Sequence, residues 1–235
     1  MTAAPSPEGE RSAFAATLAS AAEALSLELS EVQIAKLLEF VALLDRWNRT
    51  YNLTAVRDPA EMLTQHVVDC LAAVPALRRT LPGSKRVLDV GSGGGLPGVV
   101  WAVADPRLDV ACVDSVGKKA AFIRQVALAL RLDNLKAEHS RVEALEGPPC
   151  DVITSRAFAS LADFVSLTRT LATPGGIWLA MKGKLPLDEI AELPAGFQAF
   201  HVERVHVPGL DAERCLVWIR KSAPFLPSRE SGRLQ

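Results

Sequence analysis

The stretch from residue 86 to residue 98 constrains the fold of this chain more than any other. Three apolar residues and one acid, Asp89, predict a short buried strand, and a run of glycines then ends it. Glycine has no Cβ, so the backbone can turn sharply and approach a bound ligand closely. Such a turn at the carboxyl end of a strand is where open α/β sheets bind nucleotide-like molecules. The sequence therefore predicts a nucleotide site in an α/β fold.

Two glycine registers within this turn correspond to two different nucleotides. The dinucleotide fingerprint fits Gly93-x-Gly95-x-x-Gly98. The pattern of S-adenosylmethionine enzymes fits Gly91-x-Gly93-x-Gly95. The carboxylate of Asp89 favours the second, because it would repel a pyrophosphate and attract the ammonium and sulfonium groups of S-adenosylmethionine. We expect S-adenosylmethionine, with a nicotinamide dinucleotide as the alternative and a purely structural turn as a third interpretation.

A second acid, Asp114, lies at the end of the next predicted strand. In both cofactor families an acid about 20 residues after the glycine turn accepts hydrogen bonds from ribose hydroxyls. Asp114 therefore indicates that the ligand contains a ribose, but it does not discriminate between the two cofactors. The alternative is a solvated aspartate at a strand end.

Strands and helices alternate from residue 86 onward, which predicts a parallel sheet with right-handed crossovers. The last two strands are close enough to pair antiparallel across a Pro-Gly turn. This is the arrangement of class I S-adenosylmethionine-dependent methyltransferases, an α/β fold with a Rossmann-like, doubly wound, mostly parallel sheet and an antiparallel C-terminal hairpin. The strands are expected at 86–90, 109–114, 135–139, 151–155, 176–182, 198–207 and 214–221. The helices are expected near 97–103, 117–131, 160–171 and 186–192.

The chain before this alternation has apolar residues at helical spacing. Ser30-x-x-Gln33 predicts a capping box, and Asp58-Pro59 predicts the start of another helix. We expect four segments along the chain. They are disordered residues 1–9, an N-terminal helical section at 10–76, a catalytic domain at 77–222 on which that section packs, and a flexible tail at 223–235.

Composition excludes several classes of protein. A chain of 235 residues, 49% hydrophobic and 23% charged, can bury a sizeable core. Its formal net charge of −1 gives no sign of nucleic-acid binding, so RNA contact requires a local basic patch or partner proteins. Four dispersed cysteines and four histidines without ligand spacing predict buried thiols and no metal. Because neither a membrane span nor a secretion signal is evident, we expect a cytoplasmic protein with no membrane contact.

A set of further motifs resembles the bacterial small-subunit rRNA methyltransferase G family, also called glucose-inhibited division protein B. The motifs span about residues 40–220 in the expected order, and their combination is far more specific than the glycine turn alone. They are Trp47-Asn-Arg-Thr-Tyr-Asn-Leu-Thr54, Val56-Arg-Asp-Pro59, His66-x-x-Asp69, Asp89 to Gly98, Asp114-Ser-Val-Gly-Lys-Lys119, Ser140-Arg-Val-Glu143, Ser155-Arg-Ala-Phe-Ala-Ser160 and Met181-Lys-Gly183.

The resemblance implies transfer of a methyl group from S-adenosylmethionine to N7 of one guanine in 16S rRNA. The product is S-adenosylhomocysteine, the partner is the small ribosomal subunit, and the enzyme is expected to be a monomer. Guanine N7 carries a lone pair and no proton, so the reaction needs orientation and electrostatics rather than a general base. The alternatives are a small-molecule methyltransferase and a non-catalytic ribosome-assembly factor with a vestigial cofactor site.

Three basic residues are candidates for the active site. Arg156 follows a central strand, where it can contact the cofactor, a phosphate or the O6 edge of guanine, although it cannot act as a base. Lys182 ends the fifth strand at the same rim, and Arg141 faces the RNA or the cofactor carboxylate. The alternatives are a surface salt bridge for Arg156 and a solvated lysine for Lys182.

The resemblance also implies a set of cofactor-binding residues. It favours contact of Val142 and Glu143 with adenine, although Ser140-x-x-Glu143 also matches a helix capping box. The full set is Asp89, Gly91, Gly93, Gly95, Leu96, Asp114, Ser115, Val142, Glu143 and Arg156.

Asn52, His66 and Lys118 are the candidates for substrate binding. Asn52 and His66 are polar residues in otherwise packed segments, so they would form the base pocket or hold its shape. Helix capping and hydrogen bonding within the core are the alternatives for both.

Overall fold

The computed structural model describes residues 7–82, 85–156 and 158–222. Within them, seven strands form one sheet. The strands are β1 (Lys85–Val90), β2 (Leu108–Asp114), β3 (Leu135–His139), β4 (Cys150–Ser155), β5 (Ala172–Lys182), β6 (Phe197–Arg204) and β7 (Cys215–Lys221).

The strand order is β3-β2-β1-β4-β5-β7-β6. The first five strands pair parallel, and β7 is antiparallel to both β5 and β6. The chain leaves β1 for β2 and β3 on one side and continues with β4 on the other, so the order reverses at β1. Ligands bind at the carboxyl ends of strands at such a switch point. The predicted mostly parallel, doubly wound sheet with a C-terminal hairpin is confirmed.

Helices cover both faces of the sheet. They are α1 (Pro7–Ala24), α2 (Glu31–Tyr51), α3 (Pro59–Met62), a π-helical segment (Leu63–Val68), α4 (Asp69–Leu71), α5 (Val74–Thr80), α6 (Gly98–Ala104), α7 (Gly117–Ala129), a 3-10 turn (Val142–Ala144), α8 (Leu161–Thr168) and α9 (Leu187–Ala191).

Alternate residues of each strand point to two separate cores. Val87, Val152 and Leu179 pack on one face against the helical section, α6 and α7. Leu88 and Ile153 face the other side, where α8 covers them. Because the helical section shares the larger core with the strands, it packs on the sheet and forms part of the same hydrophobic core.

The helical section begins earlier and ends later than the sequence pattern predicts. Residues 7–9, expected to be disordered, form the first turn of α1. The negative charges of Glu8 and Glu10 in this turn interact favourably with the positive end of the helix dipole. At the other end, α5 continues to Thr80. Residues 1–6 and the expected tail at 223–235 lie outside the described residues.

Local signals for helix starts are confirmed. Ser30 and Gln33 form both hydrogen bonds of the predicted capping box at α2. Asp58 caps α3 by accepting from the N–H groups of Ala60 and Glu61.

Trp47 and Tyr51, one turn apart on α2, have ring centroids 5.1 Å apart.

Two strand boundaries differ from prediction by more than one residue. β5 starts at Ala172 rather than 176, because Ala172 pairs with Cys150 ahead of a register shift that spans the Thr-Pro-Gly-Gly segment. β6 ends at Arg204 rather than at residue 207, so His206 lies beyond the strand. All four cysteines are free and buried, as predicted. None of the helices in the described ranges is long and apolar enough to cross a membrane.

Candidate active site

The turn after β1 holds three glycines in the left-handed region of backbone conformation. Gly91, Gly93 and Gly95 have φ angles of 67°, 56° and 82°, which residues with a Cβ rarely adopt. At Gly95 the restriction is also steric, because a Cβ there would lie 2.5 Å from Cγ2 of Val99. The left-handed positions are therefore the three glycines of the S-adenosylmethionine pattern.

Asp89 lies beneath this turn and is fully buried. Its Oδ2 accepts a 2.8 Å hydrogen bond from the N–H of Gly98, the first residue of α6, while Oδ1 has no hydrogen-bond partner among the described residues. Burial raises the pKa of Asp89 to about 7, although the Gly98 N–H opposes this rise. Asp89 is therefore only partly ionised at neutral pH. Its attraction for a cation is therefore weaker than that of the full negative charge expected from the sequence.

Asp114 ends β2 and ties it to the glycine turn. Its Oδ2 accepts a 2.9 Å hydrogen bond from the N–H of Gly93, and its Oδ1 accepts one of 2.8 Å from the N–H of Val116. The residue is only 6% exposed, so the alternative of a solvated strand-end aspartate is wrong. Each carboxylate oxygen has a second lone-pair site, so Asp114 can hold the turn and accept from a ribose together.

A cavity of about 390 Å³ opens beside the carboxyl ends of β1 and β2. Its volume lies within the range of small-molecule sites. The cavity brings Arg141 together with five of the expected cofactor residues. The lining residues are Gly91, Val113, Asp114, Ser115, Val116, Lys119, Ser140, Arg141, Val142, Glu143, Phe158 and Leu167.

The segment after β3 forms one wall of this cavity without a capping box. The hydroxyl of Ser140 donates to the carbonyl of Arg141, and the 3-10 turn that follows has no side-chain cap. The capping interpretation of Ser140-x-x-Glu143 is therefore wrong. Val142 is half-buried and Glu143 exposed on the cavity wall.

Arg156 directly follows β4, and its guanidinium contacts the helical section. Nη1 donates to the carbonyl of Gln65 at 3.0 Å and to Oδ2 of Asp69 at 3.3 Å. Both Nη1 and Nη2 lie 3.3 Å from Nδ1 of His66. Arg156 therefore does form a salt bridge, as the alternative interpretation expected, but with side chains 23% and 3% exposed the pair is a partly buried link between two parts of the fold rather than a surface contact.

His66 is buried and serves as a hydrogen-bond acceptor for Arg156. A guanidinium can only donate, so Nδ1 carries the lone pair and Nε2 carries the proton. Nε2 then donates to Oγ1 of Thr54 at 2.7 Å. Burial and the positive charge of Arg156 lower the pKa of His66 to about 4. The ring is therefore neutral at pH 7, with both nitrogens in hydrogen bonds.

Sequence reasoning gave no role to the two residues that complete this cluster. Asp69 is 3% exposed and accepts a 2.7 Å hydrogen bond from Nε of Arg214 through Oδ1, while Oδ2 faces Arg156. Arg214 precedes β7 and lies 145 residues from Asp69 in sequence, so no local spacing indicates the pair. The one available signal was the spacing of three between His66 and Asp69, which places both on one helix face.

Lys182 at the end of β5 is paired rather than solvated. Its Nζ lies 3.0 and 2.8 Å from the two carboxylate oxygens of Glu189 on α9. Oε2 of Glu189 also accepts the N–H of Leu161, the first residue of α8. The Lys182 side chain is 16% exposed, so the alternative of a solvated lysine is wrong. Glu189 is a further residue that sequence reasoning missed.

The expected substrate residues lie on three separate elements. Asn52 is the left-handed C-cap of α2 and is exposed, with Oδ1 accepting from Nη2 of Arg57 at 2.7 Å. Lys118 is exposed in the first turn of α7, and His66 is buried in the π-helical segment. Leu96, expected at the cofactor, is 5% exposed within the larger core. No group of three metal-ligating side chains occurs among the residues that the structure describes.

The fold and the cavity together define the class of this protein. A glycine turn follows the central β1, an acid ends the neighbouring β2, and a cavity opens beside both at the switch point of the sheet. This is the arrangement of a class I methyltransferase.

Comparison with known proteins then identifies the family. The chain belongs to the rRNA small subunit methyltransferase G family, whose family model matches residues 33–217. It is 58% identical over 220 residues to the ribosomal RNA small subunit methyltransferase G of Acidovorax sp. (strain JS42), covering 89% of this chain and 96% of the relative. The protein of the same name from Acidovorax ebreus (strain TPSY) is 59% identical over 211 residues, covering 86% and 93%.

A solved structure supports the fold. The Burkholderia thailandensis 1,6-didemethyltoxoflavin-N1-methyltransferase, crystallised with S-adenosylhomocysteine, has a TM-score of 0.54 and 18% identity, covering 79% of this chain and 90% of that protein. The recognition made from the sequence motifs is confirmed, and this protein is an rRNA methyltransferase.

Proposed function

We propose that this protein transfers the methyl group of S-adenosylmethionine to N7 of a guanine in the 16S rRNA of the small ribosomal subunit. The observation that carries the proposal is the arrangement of the cavity. Asp114 on one wall is suited to a ribose, and Arg156, which lies outside the cavity lining, follows β4, the strand on the other side of β1. The names of the relatives, which refer to rRNA of the small subunit, support the substrate.

The residues at the glycine turn fit S-adenosylmethionine. Oδ1 of Asp89 has no hydrogen-bond partner among the described residues. Because Asp89 has no exposed surface and lies outside the cavity lining, the ammonium group would reach it through a bridging water. A cation there would also favour ionisation of Asp89, which burial alone opposes. When bound, the cofactor supplies an electrophilic methyl group on its sulfonium.

Two walls of the cavity suit two different parts of the cofactor, the ribose and the adenine. Asp114 would accept the ribose hydroxyls at the end of β2. The exposed Ser115 beside it, the half-buried Val142 and the carboxylate of Glu143 would contact the adenine on the opposite wall. Arg141, which lines the same cavity, would face the cofactor carboxylate or the RNA.

The basic residues at the carboxyl ends of β4 and β5, Arg156 and Lys182, suit a reaction that needs no proton acceptor. Arg156 stays protonated, and the lone pair of His66 is directed at its guanidinium. Neither can therefore abstract a proton, and N7 of guanine has none to lose. Arg156 would contribute by hydrogen bonding to the guanine O6 edge or to a phosphate, which orients the base for attack on the methyl group. Lys182 is bound to Glu189, so we assign it to the support of the rim.

Methylation of purified small subunits that lack the modification tests this proposal. With methyl-labelled cofactor, the parent protein should place label on N7 of a single 16S guanine. The Gly93→Arg protein should lose cofactor binding, because φ at Gly93 is 56°, whereas Gly147→Arg, at an open loop position, should retain it. Label in a metabolite would instead indicate a small-molecule enzyme. Cofactor binding without any transfer to subunits or their assembly intermediates would indicate an assembly factor.

A further inference from the structure

Asp69 stands between two arginines that come from distant parts of the chain. Its Oδ2 lies 3.3 Å from Nη1 of Arg156, at the end of β4, and its Oδ1 lies 2.7 Å from Nε of Arg214, at the start of β7. Asp69 is 3% exposed, so water cannot replace these partners. One buried carboxylate therefore connects the helical section to two strand ends.

The π-helical segment gives Arg156 a further acceptor. The N–H of Asp69 donates to the carbonyls of Thr64 and His66, and so does not take the Gln65 carbonyl that an α-helical register would assign to it. That carbonyl accepts from Nη1 of Arg156 at 3.0 Å. π-helical turns inside helices frequently occur at functional sites.

The charges in this cluster do not cancel. Arg156 and Arg214 are both positive, Asp69 is the carboxylate that contacts both of them, and His66 is neutral because its pKa is lowered to about 4. Within this cluster the two guanidinium charges exceed the single carboxylate by one, and Asp89, which also interacts with Arg156, is only partly ionised at neutral pH. Charge fixed in this way needs no reorganisation when it meets a negative or electron-rich group of the substrate.

We propose that Asp69 is a positioning residue, which holds Arg156 against Gln65 and His66 so that its guanidinium faces the RNA in a fixed orientation. This inference rests on the proposed function, in which Arg156 contacts the substrate. Asp69 itself is too deeply buried to touch the substrate. Without its charge the two arginines repel each other, and Arg156 leaves the position required for the reaction.

The chain contains a matched control for a merely structural role. Asp105 is 4% exposed and also bridges two arginines, at 3.2 Å from Arg78 and 2.6 Å from Arg107. It follows α6 and precedes β2, at the amino end of that strand and away from the cavity. Asp69→Asn and Asp105→Asn therefore remove the same kind of buried ion pair from opposite edges of the sheet.

The two variants are compared in thermal stability, cofactor affinity and the kinetics of subunit methylation. Both should lose stability, and both should bind S-adenosylmethionine within about twofold of the parent. Only Asp69→Asn should lower kcat, by about 100-fold, the size expected for a misplaced group at the reacting centre. In the Arg156→Lys background, Asp69→Asn should lower kcat little further, because Asp69 acts through Arg156. Equal kcat values for the two Asp→Asn variants, or multiplicative effects of Asp69→Asn and Arg156→Lys, would overturn the proposal.

A crystal structure of Asp69→Asn tests the same inference without relying on activity. We expect the Arg156 guanidinium to have left both the Gln65 carbonyl and Nδ1 of His66. If it keeps both contacts, Asp69 does not position it. A parent protein that fails to methylate subunits would instead refute the proposed function, and the position of Arg156 in the variant would still decide the role of Asp69.

Discussion

Asp114 accepts a 2.9 Å hydrogen bond from the backbone N–H of Gly93. The acid at the end of β2 therefore holds the glycine turn after β1, and the two sequence motifs form one structural unit. Because the same carboxylate also accepts from the N–H of Val116, it fixes the start of α7 as well. A change at Asp114 should alter the shape of the cofactor cavity as well as remove a contact in it.

Asp114→Asn should weaken S-adenosylmethionine binding by about 10- to 100-fold, the range for loss of hydrogen bonds to a charged group. An amide retains one acceptor oxygen and so cannot serve the Gly93 N–H, the Val116 N–H and a ribose together. Isothermal titration calorimetry measures the effect. Asp109→Asn is the control, since Asp109 lies on the same strand with 47% of its side chain exposed in a surface ion pair with Arg86. Equal affinities of the two variants would contradict the role of Asp114.

Gly95→Ala should destabilise the protein by about 2–5 kcal/mol. The left-handed backbone costs a residue with a Cβ about 1–2 kcal/mol, and the clash with Val99 adds an overpacking cost of about 1–3 kcal/mol. Urea denaturation gives the free energy of unfolding. At Gly147 a Cβ meets no atom within 4 Å, so Gly147→Ala should be nearly neutral. A Gly95→Ala protein as stable as Gly147→Ala would show that the turn is looser than described.

His66 should make the protein less stable as the pH falls from about 6.5 to about 4. Its pKa in the folded protein is about 4, below the ordinary value of 6.5, so the unfolded chain takes up a proton in this window that the folded state does not. The contribution of His66 to the free energy of unfolding is complete above pH 6.5 and should fall by about 3 kcal/mol across the window. Asp89, whose raised pKa acts in the opposite direction over the same pH range, contributes equally to the parent and to the variants. The difference in stability between the parent and His66→Gln should therefore change by about this amount across the window, whereas the difference between the parent and His201→Gln, which removes a 54% exposed side chain, should stay constant. Parallel stability curves for the parent and His66→Gln would contradict this origin.

The glycine turn and the end of β2 could be predicted from sequence because their determinants are local. A short apolar run, left-handed glycines and an acid at the next strand end act within the segment that contains them. Asp89 shows the limit of this reasoning, because its position follows from the pattern whereas its pKa depends on burial that only the packed fold creates.

The surroundings of the basic residues could not be predicted in the same way. Arg156 meets Asp69 across 87 residues of sequence, and Asp69 meets Arg214 across 145. Lys182 is only seven residues from Glu189, but the loop between them has no periodicity that indicates a contact. The π-helical register at Gln65 also has no sequence pattern of its own, since it differs from an α-helix only in which carbonyls the N–H groups reach.

Arg156 and Lys182 end neighbouring strands, yet they should respond differently to substitution. Lys182→Met removes an ion pair with Glu189 and leaves that carboxylate accepting from Leu161 and partly exposed to water. We expect a stability loss of about 1–3 kcal/mol and a methylation rate within about threefold of the parent. Arg156→Lys keeps the charge, but three N–H donors on one nitrogen cannot serve Gln65, His66, Asp69 and the substrate together, so the rate should fall by about 100-fold. Thermal denaturation and single-turnover methylation of small subunits separate the two effects. A Lys182→Met protein that folds normally and loses methylation as completely as Arg156→Lys would place Lys182 in contact with the substrate.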